Sequence, residues 1–223
     1  VGELVRWVKV LDARALGARL PRAAPSAAWR AATRALRWAD RLRAARQRAA
    51  VAVEVVEGFS PEFEGFSRAL ARLAPAMPAR DLRFLEWRYG GASPHARREV
   101  AVARRANGRM AGYVVSYASA GPPPTGYVLD LQALPPYDGA VAAALLGHAT
   151  ARLRAAGAWT VRCHHLAGPH TVPAAALRRW GFVPRSSHRL LVRLGDPRLA
   201  ALAAARGAWN YAYGDSEASH AAV

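Results

Sequence analysis

The stretch Gly126-Tyr-Val-Leu-Asp-Leu-Gln-Ala-Leu-Pro-Pro-Tyr-Asp-Gly-Ala-Val-Ala-Ala-Ala-Leu-Leu-Gly-His-Ala149 decides how this chain is read. Tyr127 to Leu131 has the side chains of a strand. Pro135, Pro136 and Gly139 mark a turn, and residues 139–156 run on as a helix. The helix stops at Gly157, with Arg152 and Arg154 in its last turns. A strand at Trp159 to Cys163 follows, which makes the stretch the heart of a β-α-β unit.

Outward from that unit the signals stay clear. Val100 to Ala103 and Met110 to Tyr117 flank Asn107-Gly108, the strongest short-range hairpin signal. Pro122-Pro123-Pro124 turns the chain toward the strand at Tyr127. Beyond Cys163, Thr171 to Trp180 reads as a helix ended by Gly181, and Phe182 to Leu194 as one strand or two. Toward the N-terminus, Val51 to Val56 alternates as a strand. Ser60-Pro61-Glu62 opens a helix whose Phe63, Phe66, Leu70 and Leu73 share one face. Asp81 to Tyr89 is a second, short helix. At the start come a strand at Leu4 to Leu11, an Arg/Ala/Pro connector to about residue 25, and a helix over 27–49. That helix carries Trp29, Leu36, Trp38 and Leu42 among arginines. From residue 51 the order is β-α-α-β-β-β-α-β-α-β-β. Antiparallel strands followed by β-α-β imply an α+β fold with a mixed, mainly antiparallel sheet flanked by helices on both faces. The sheet is expected to splay after the strand that carries Asp130.

Element for element, this order resembles the GNAT acetyltransferase fold over about residues 51–194. Residues 177–194, LRRWGFVPRSSHRLLVRL, look like its fourth helix, "GF" turn and last hairpin. Residues 126–149 look like its central strand, turn and CoA-binding helix. Residues 80–90, RDLRFLEWRYG, resemble the second helix of a subgroup with a Phe-x-x-Trp-Arg-Tyr pattern. The resemblance implies an acyl-CoA-dependent N-acyltransferase, with acetyl-CoA or another acyl-CoA as cofactor and a small or sugar-like amine as acceptor. It assigns Leu131, Gln132, Ala133, Asp138, Gly139, Ala140 and Ala142 to the cofactor. The family's usual turn is Arg or Gln, two residues, Gly, one residue, then Gly or Ala. Here Tyr137, Ala140 and Ala142 hold those places, and only the last fits. A helix N-terminus still suits a pyrophosphate.

The resemblance makes Asp130, the only acid on the central strand, the candidate base for the ammonium. The alternative is a structural Asp bonded to backbone or to an arginine. The family's thiolate acid is a Tyr near the fourth helix. That stretch here has none, leaving His164, His165 or His170, of which His164 and His170 are the candidates. Trp87, Arg88 and Tyr89 would line the acceptor side, with Arg88 able to pair an anionic acceptor. Trp209 to Ser216, an aromatic, Gly and Asp cluster, reads equally as a tail that folds back onto the domain and as a capping segment after the last strand. The missing Arg, Gly and Tyr keep a second reading open: a catalytically inactive GNAT-like module that binds an anionic partner.

Composition bounds these readings. The 223 residues are 52% hydrophobic and 21% charged, the balance of a globular chain. The longest apolar runs, Ala140 to Leu146 and Leu199 to Ala205, fall far short of the ~20 residues a membrane span needs. One cysteine, Cys163, excludes an internal disulfide and argues against a metal site, so a cytoplasmic location is expected. The net charge of +17 comes from 32 basic residues, all arginine except Lys9. Scattered arginines without a recognition motif argue against a nucleic-acid reader. Residues 1–50 hold 12 basic side chains against Glu3, Asp12 and Asp40. That segment is expected to integrate poorly with a domain at 51–194, followed by a helix and tail at 195–223. Residues 2–16 also echo residues 188–202, as if the chain began on the last strand of a preceding module. Two unrelated amphipathic strands would look the same.

Overall fold

The turn at Asn107-Gly108 shows how local chemistry builds the sheet. Gly108 takes φ +76°, the N–H of Gly108 donates to the Arg105 carbonyl, and the N–H of Arg105 donates to the Arg109 carbonyl. A glycine with positive φ closes such a hairpin without steric cost. The computed structural model describes residues 2–17, 26–46, 51–91, 93, 98–135, 139–190, 196, 200–205 and 208–215. Strands run over Gly2–Val10 (β1), Ala52–Val56 (β2), Glu99–Arg104 (β3), Met110–Ser119 (β4), Thr125–Ala133 (β5), Thr160–Leu166 (β6) and Val183–Leu190 (β7). Helices run over Arg14–Gly17 (α1), Ser26–Arg46 (α2), Pro61–Leu73 (α3), Leu82–Tyr89 (α4), Ala140–Ala155 (α5), Ala174–Arg179 (α6) and Ala200–Ala204 (α7). A 3-10 turn covers Tyr213–Asp215.

The strands form one seven-stranded sheet in the order β2-β3-β4-β5-β6-β1-β7. The β5–β6 pairing is parallel and the others are antiparallel, so the sheet is mixed and mainly antiparallel. Each face buries its own core. Phe63, Phe66 and Leu70 of α3 and Leu85 and Tyr89 of α4 pack with Tyr113 and Leu129 on one side. On the other, Leu145, Leu146 and Ala149 of α5 and Leu177 of α6 pack with Val114, Val128 and Val161. Asp81 caps α4 by accepting the Phe84 N–H at 2.7 Å. Ser60 stands at the N-cap of α3 without a side-chain cap bond, so Pro61 and the acids of the first turn carry that start.

The expectation that the N-terminal segment integrates poorly does not hold for β1. It lies between β6 and β7, with Trp7 opposite both Cys163 and Pro184. Trp7 and Leu11 are buried in the α5-side core. The helix α2 is mostly exposed, and its only buried residues are the polar Thr33 and Asp40. Thr33 Oγ1 accepts the Ala13 N–H at 3.0 Å, and Lys9 of β1 donates to Asp40 at 2.7 Å. Two polar anchors therefore set the facing of α2, which explains its untidy apolar stripe. Residues 191–195 and 197–199, most of the echoing segment and the end of the expected last strand, lie outside the described residues.

Candidate functional site

The site begins with a register defect. Val115 of β4 faces Asp130, but Ser116 faces Val128, so Leu129 is an extra residue in β5. Such a bulge bends a strand and re-aims its side chains. It turns Asp130 and Gln132 to the α3/α4 face, beside Tyr113. The same point ends the parallel pairing. The last β5–β6 partners are Val128 and Cys163, after which β6 leaves β5 and stays paired with β1. The two middle strands part there, as the expected splay after the Asp130 strand required.

Asp130 sits at that fork with its carboxylate 0% exposed. Its Oδ2 accepts from Arg80 Nε at 3.0 Å and from the Tyr113 hydroxyl at 2.9 Å, and its Oδ1 accepts from Gln132 Nε2 at 2.7 Å. Arg80 is also fully buried and donates through Nη2 to Asp215 Oδ2 at 2.5 Å. One guanidinium thus serves two carboxylates. Burial opposes the charge of Arg80, but Asp130 and Asp215 outweigh it and hold its pKa well above the ordinary value. Burial, helped by the nearby Asp130 charge, pushes Asp215 up to about 6 despite Arg80. Burial likewise raises Tyr113 and Tyr89 well above the usual tyrosine value.

The gap between the parted strands is filled by the chain itself. Ala212 bridges to His165 of β6 in antiparallel fashion. Asn210 and Gln132 exchange amide bonds at 2.9 and 3.2 Å, and Asn210 also donates to the His170 carbonyl at 3.2 Å. Tyr213 stacks on Tyr127 at 5.7 Å and meets the edge of His164 at 4.3 Å. Behind it, Trp209 bridges to Ala76, and the N–H of Asn210 donates to the Ala76 carbonyl. The tail does fold back, and it lies in the slot as an extended peptide. What remains open there is about 30 Å³, lined partly by Leu131, Gln132, His164 and Tyr211.

The expected cofactor residues divide. Leu131 and Gln132 border the slot, and Ala133 ends β5 beside Gly112 of β4. Asp138 and Tyr137 lie outside the described residues. Gly139 starts α5 at φ +73°, where a Cβ would stand 3.3 Å from Ala176. A side chain there is strained whether or not a phosphate binds. Ala140 is half-buried at the helix start, whereas Ala142 points into the α5-side core and is fully buried.

Of the acceptor-side trio, Trp87 is 62% exposed and Tyr89 is buried. Arg88 donates from Nε to the Gly214 carbonyl at 2.6 Å, so it holds the tail. Burial, with Arg6 and His188 nearby, pushes His164 down to about 4, which leaves its ring neutral at pH 7. His165 donates its Nε2–H to the Val172 carbonyl at 2.6 Å. His170 is half-buried, and its carbonyl accepts from Asn210 of the tail. Arg80, Tyr113, Asn210 and Asp215 were not singled out from the sequence. Asn210 and Asp215 lie within the aromatic, Gly and Asp tail that marked itself, but nothing separates Arg80 from thirty other arginines. Among the described residues no cluster of His, Cys, Asp and Glu is arranged to hold a metal, and no helix is long and apolar enough to cross a membrane.

No family model and no curated protein matches the chain. Among solved structures it is similar to a GCN5-related N-acetyltransferase from Sphaerobacter thermophilus, 16% identical over 84% of this chain and 50% of that one, at a TM-score of 0.49. It is similar to the N-myristoyltransferase of Saccharomyces cerevisiae with bound myristoyl-CoA, 10% identical over 83% and 47%, TM-score 0.49. A third is a conserved protein of unknown function from Enterococcus faecalis, described as a probable N-acyltransferase, 12% identical over 75% and 34%, TM-score 0.46. The chain therefore spans half or less of the length of these three proteins. Likenesses this distant leave what the chain binds and does to be argued from its own residues.

Proposed function

We propose that the chain is an acyl-CoA-dependent N-acyltransferase domain whose cofactor arm enters between β5 and β6. The observation that carries this reading is the parting of those strands after Val128 and Cys163, beside the start of α5. Parted strands expose backbone hydrogen-bonding groups to an extended, amide-bearing arm, and a helix N-terminus suits its phosphates. The peptide at 209–212 supports the point, because an extended chain already occupies the slot. A bound acyl-CoA arm takes the place of that peptide or pushes it aside.

In the transfer step the acceptor amine attacks the thioester carbonyl, the C–N bond forms, and the C–S bond breaks with CoA thiolate leaving. Asp130 takes the ammonium proton, and His170 returns one to the thiolate. His164 is the weaker candidate, since a ring with a pKa of about 4 carries no proton to give at pH 7. The acceptor is a small or sugar-like amine. For Asp130 to act, the hold of Arg80, Tyr113 and Gln132 on its carboxylate has to loosen as the tail moves. That full set of partners is the observation favouring the second reading, a catalytically inactive module.

Thermal shift with acetyl-CoA separates the two. At a hundredfold excess over Kd, binding adds about 2.7 kcal/mol, a rise of several degrees in Tm. Asp130→Asn keeps that rise and lowers turnover by about a hundredfold or more. No rise at millimolar acetyl-CoA removes the enzyme reading. A rise with full turnover in Asp130→Asn keeps the enzyme and removes Asp130 as its base.

A further inference from the structure

On the α5 side of the sheet, away from the slot, α2 stands off from β2 and α5 and leaves an open groove of about 750 Å³. That lies within the range of about 300–1,000 Å³ of small-molecule sites. Its floor is apolar: Val53 of β2, Ala144, Gly147 and Ala151 of α5, and Trp180. The small residues of α5 keep it open, because larger ones would fill it.

The charges around the groove do not balance. Arg37 and Arg41 lie one helical turn apart on its α2 wall, both exposed, and no acid among the described residues pairs with either. At the groove end, Asp40 is a single carboxylate bonded by Lys9, Arg43 and Arg154. Asp40 and Arg154 line the groove themselves. Three cations on one anion leave positive charge uncompensated where water is partly excluded, which is costly unless a counter-charge arrives. Lys9 registers this field: burial first, then Arg43 and Arg154, press its pKa down to about 8 against the pull of Asp40. The remaining ionisable group on the lining, His148, is engaged by Glu99 at 3.2 Å.

We propose that this groove is a second binding site, for a small free anionic amphiphile: one carboxylate on a medium-length alkyl chain. The carboxylate sits among Arg37, Arg41 and Arg154, where a planar guanidinium grips it in bidentate fashion. The chain covers Val53, Ala144 and Ala151. The proposal does not depend on acyl transfer between β5 and β6.

The test titrates the full chain with decanoate, decanol and decyltrimethylammonium by calorimetry at pH 7 and low salt. Decanoate is expected to bind about tenfold or more tighter than decanol, the factor of one charge-assisted hydrogen bond, and the cation not at all. Replacing Arg37 and Arg41 together by Glu removes that preference. Both side chains are exposed, so the free protein should melt as before. Ala151→Phe, at an exposed position, fills the groove and abolishes binding of every chain. Equal affinity for decanoate and decanol, or full affinity in the Arg37→Glu, Arg41→Glu variant, overturns the proposal. So does a dimer in sedimentation that Ala151→Phe dissociates, since the groove would then be covered by a second copy.

Discussion

Asp130 and Asp215 hold one guanidinium between them, and the cost of that arrangement falls on Asp215. Its pKa of about 6 in the fold stands above the ordinary value of 3.8. Between those values the folded chain binds a proton that the unfolded chain has lost. The resulting stability is fully present below about pH 4 and disappears as pH rises through 6. Two pKa units correspond to on the order of 2–3 kcal/mol. Asp215→Asn cannot ionise, so its stability is expected to be flatter than wild type between pH 4 and 6, by about that amount. Melts at pH 4, 5, 6 and 7 check it. Parallel curves for the two proteins would mean that Arg80 neutralises Asp215 outright. Asp130 was legible as the acid of the central strand, and a bond to an arginine was the weighed alternative. Which arginine was not legible, because the partner lies fifty residues away in a chain with thirty-one of them.

The tail at 208–215 behaves as an element although it has almost no secondary structure of its own. Its hold on the slot comes from the Asn210–Gln132 amide pair, the bond to the His170 carbonyl, and Arg88 on Gly214. Asn210→Ala leaves buried Gln132 short of a partner, a loss of about 1–3 kcal/mol. If acyl-CoA competes for the slot, the same variant binds acetyl-CoA up to about tenfold tighter, because the competing state is weakened. A lower Tm with unchanged acetyl-CoA affinity would show that tail and cofactor do not compete. The tail drew attention in the sequence through its aromatics, Gly and Asp. Its place between β5 and β6 was beyond reach, since the Leu129 bulge that opens the slot has no sequence mark of its own.

At the scale of the whole molecule, β1 is the keystone the sequence hid. It carries two of the sheet's six pairings, and without it β6 and β7 have no common neighbour. Trp7→Ala is expected to cost about 3–5 kcal/mol, as aromatic truncations in cores do. Deletion of residues 1–45 is expected to unfold the remainder, visible as loss of a cooperative melt by circular dichroism. A fragment of residues 46–223 that melts cooperatively would show instead that the sheet closes on itself without β1.

The sequence by itself determined the order and type of the elements from residue 51 to 190. Hairpin, helix stops at Gly157 and Gly181, and the apolar face of α3 are all local signals, set by backbone sterics and side-chain period within a few residues. It also determined that an acid stands on the central strand and that the tail differs from its surroundings. Only the tertiary structure decided that β1 completes the sheet between β6 and β7, that β5 bulges at Leu129, that Arg80 joins Asp130 to Asp215, and that the tail fills the fork. Apart from the bulge, which is set against the neighbouring strand β4, these rest on partners dozens to more than a hundred residues apart. Pairing at such separations depends on which edges and buried charges the rest of the fold leaves unmatched, and no short window of sequence records that.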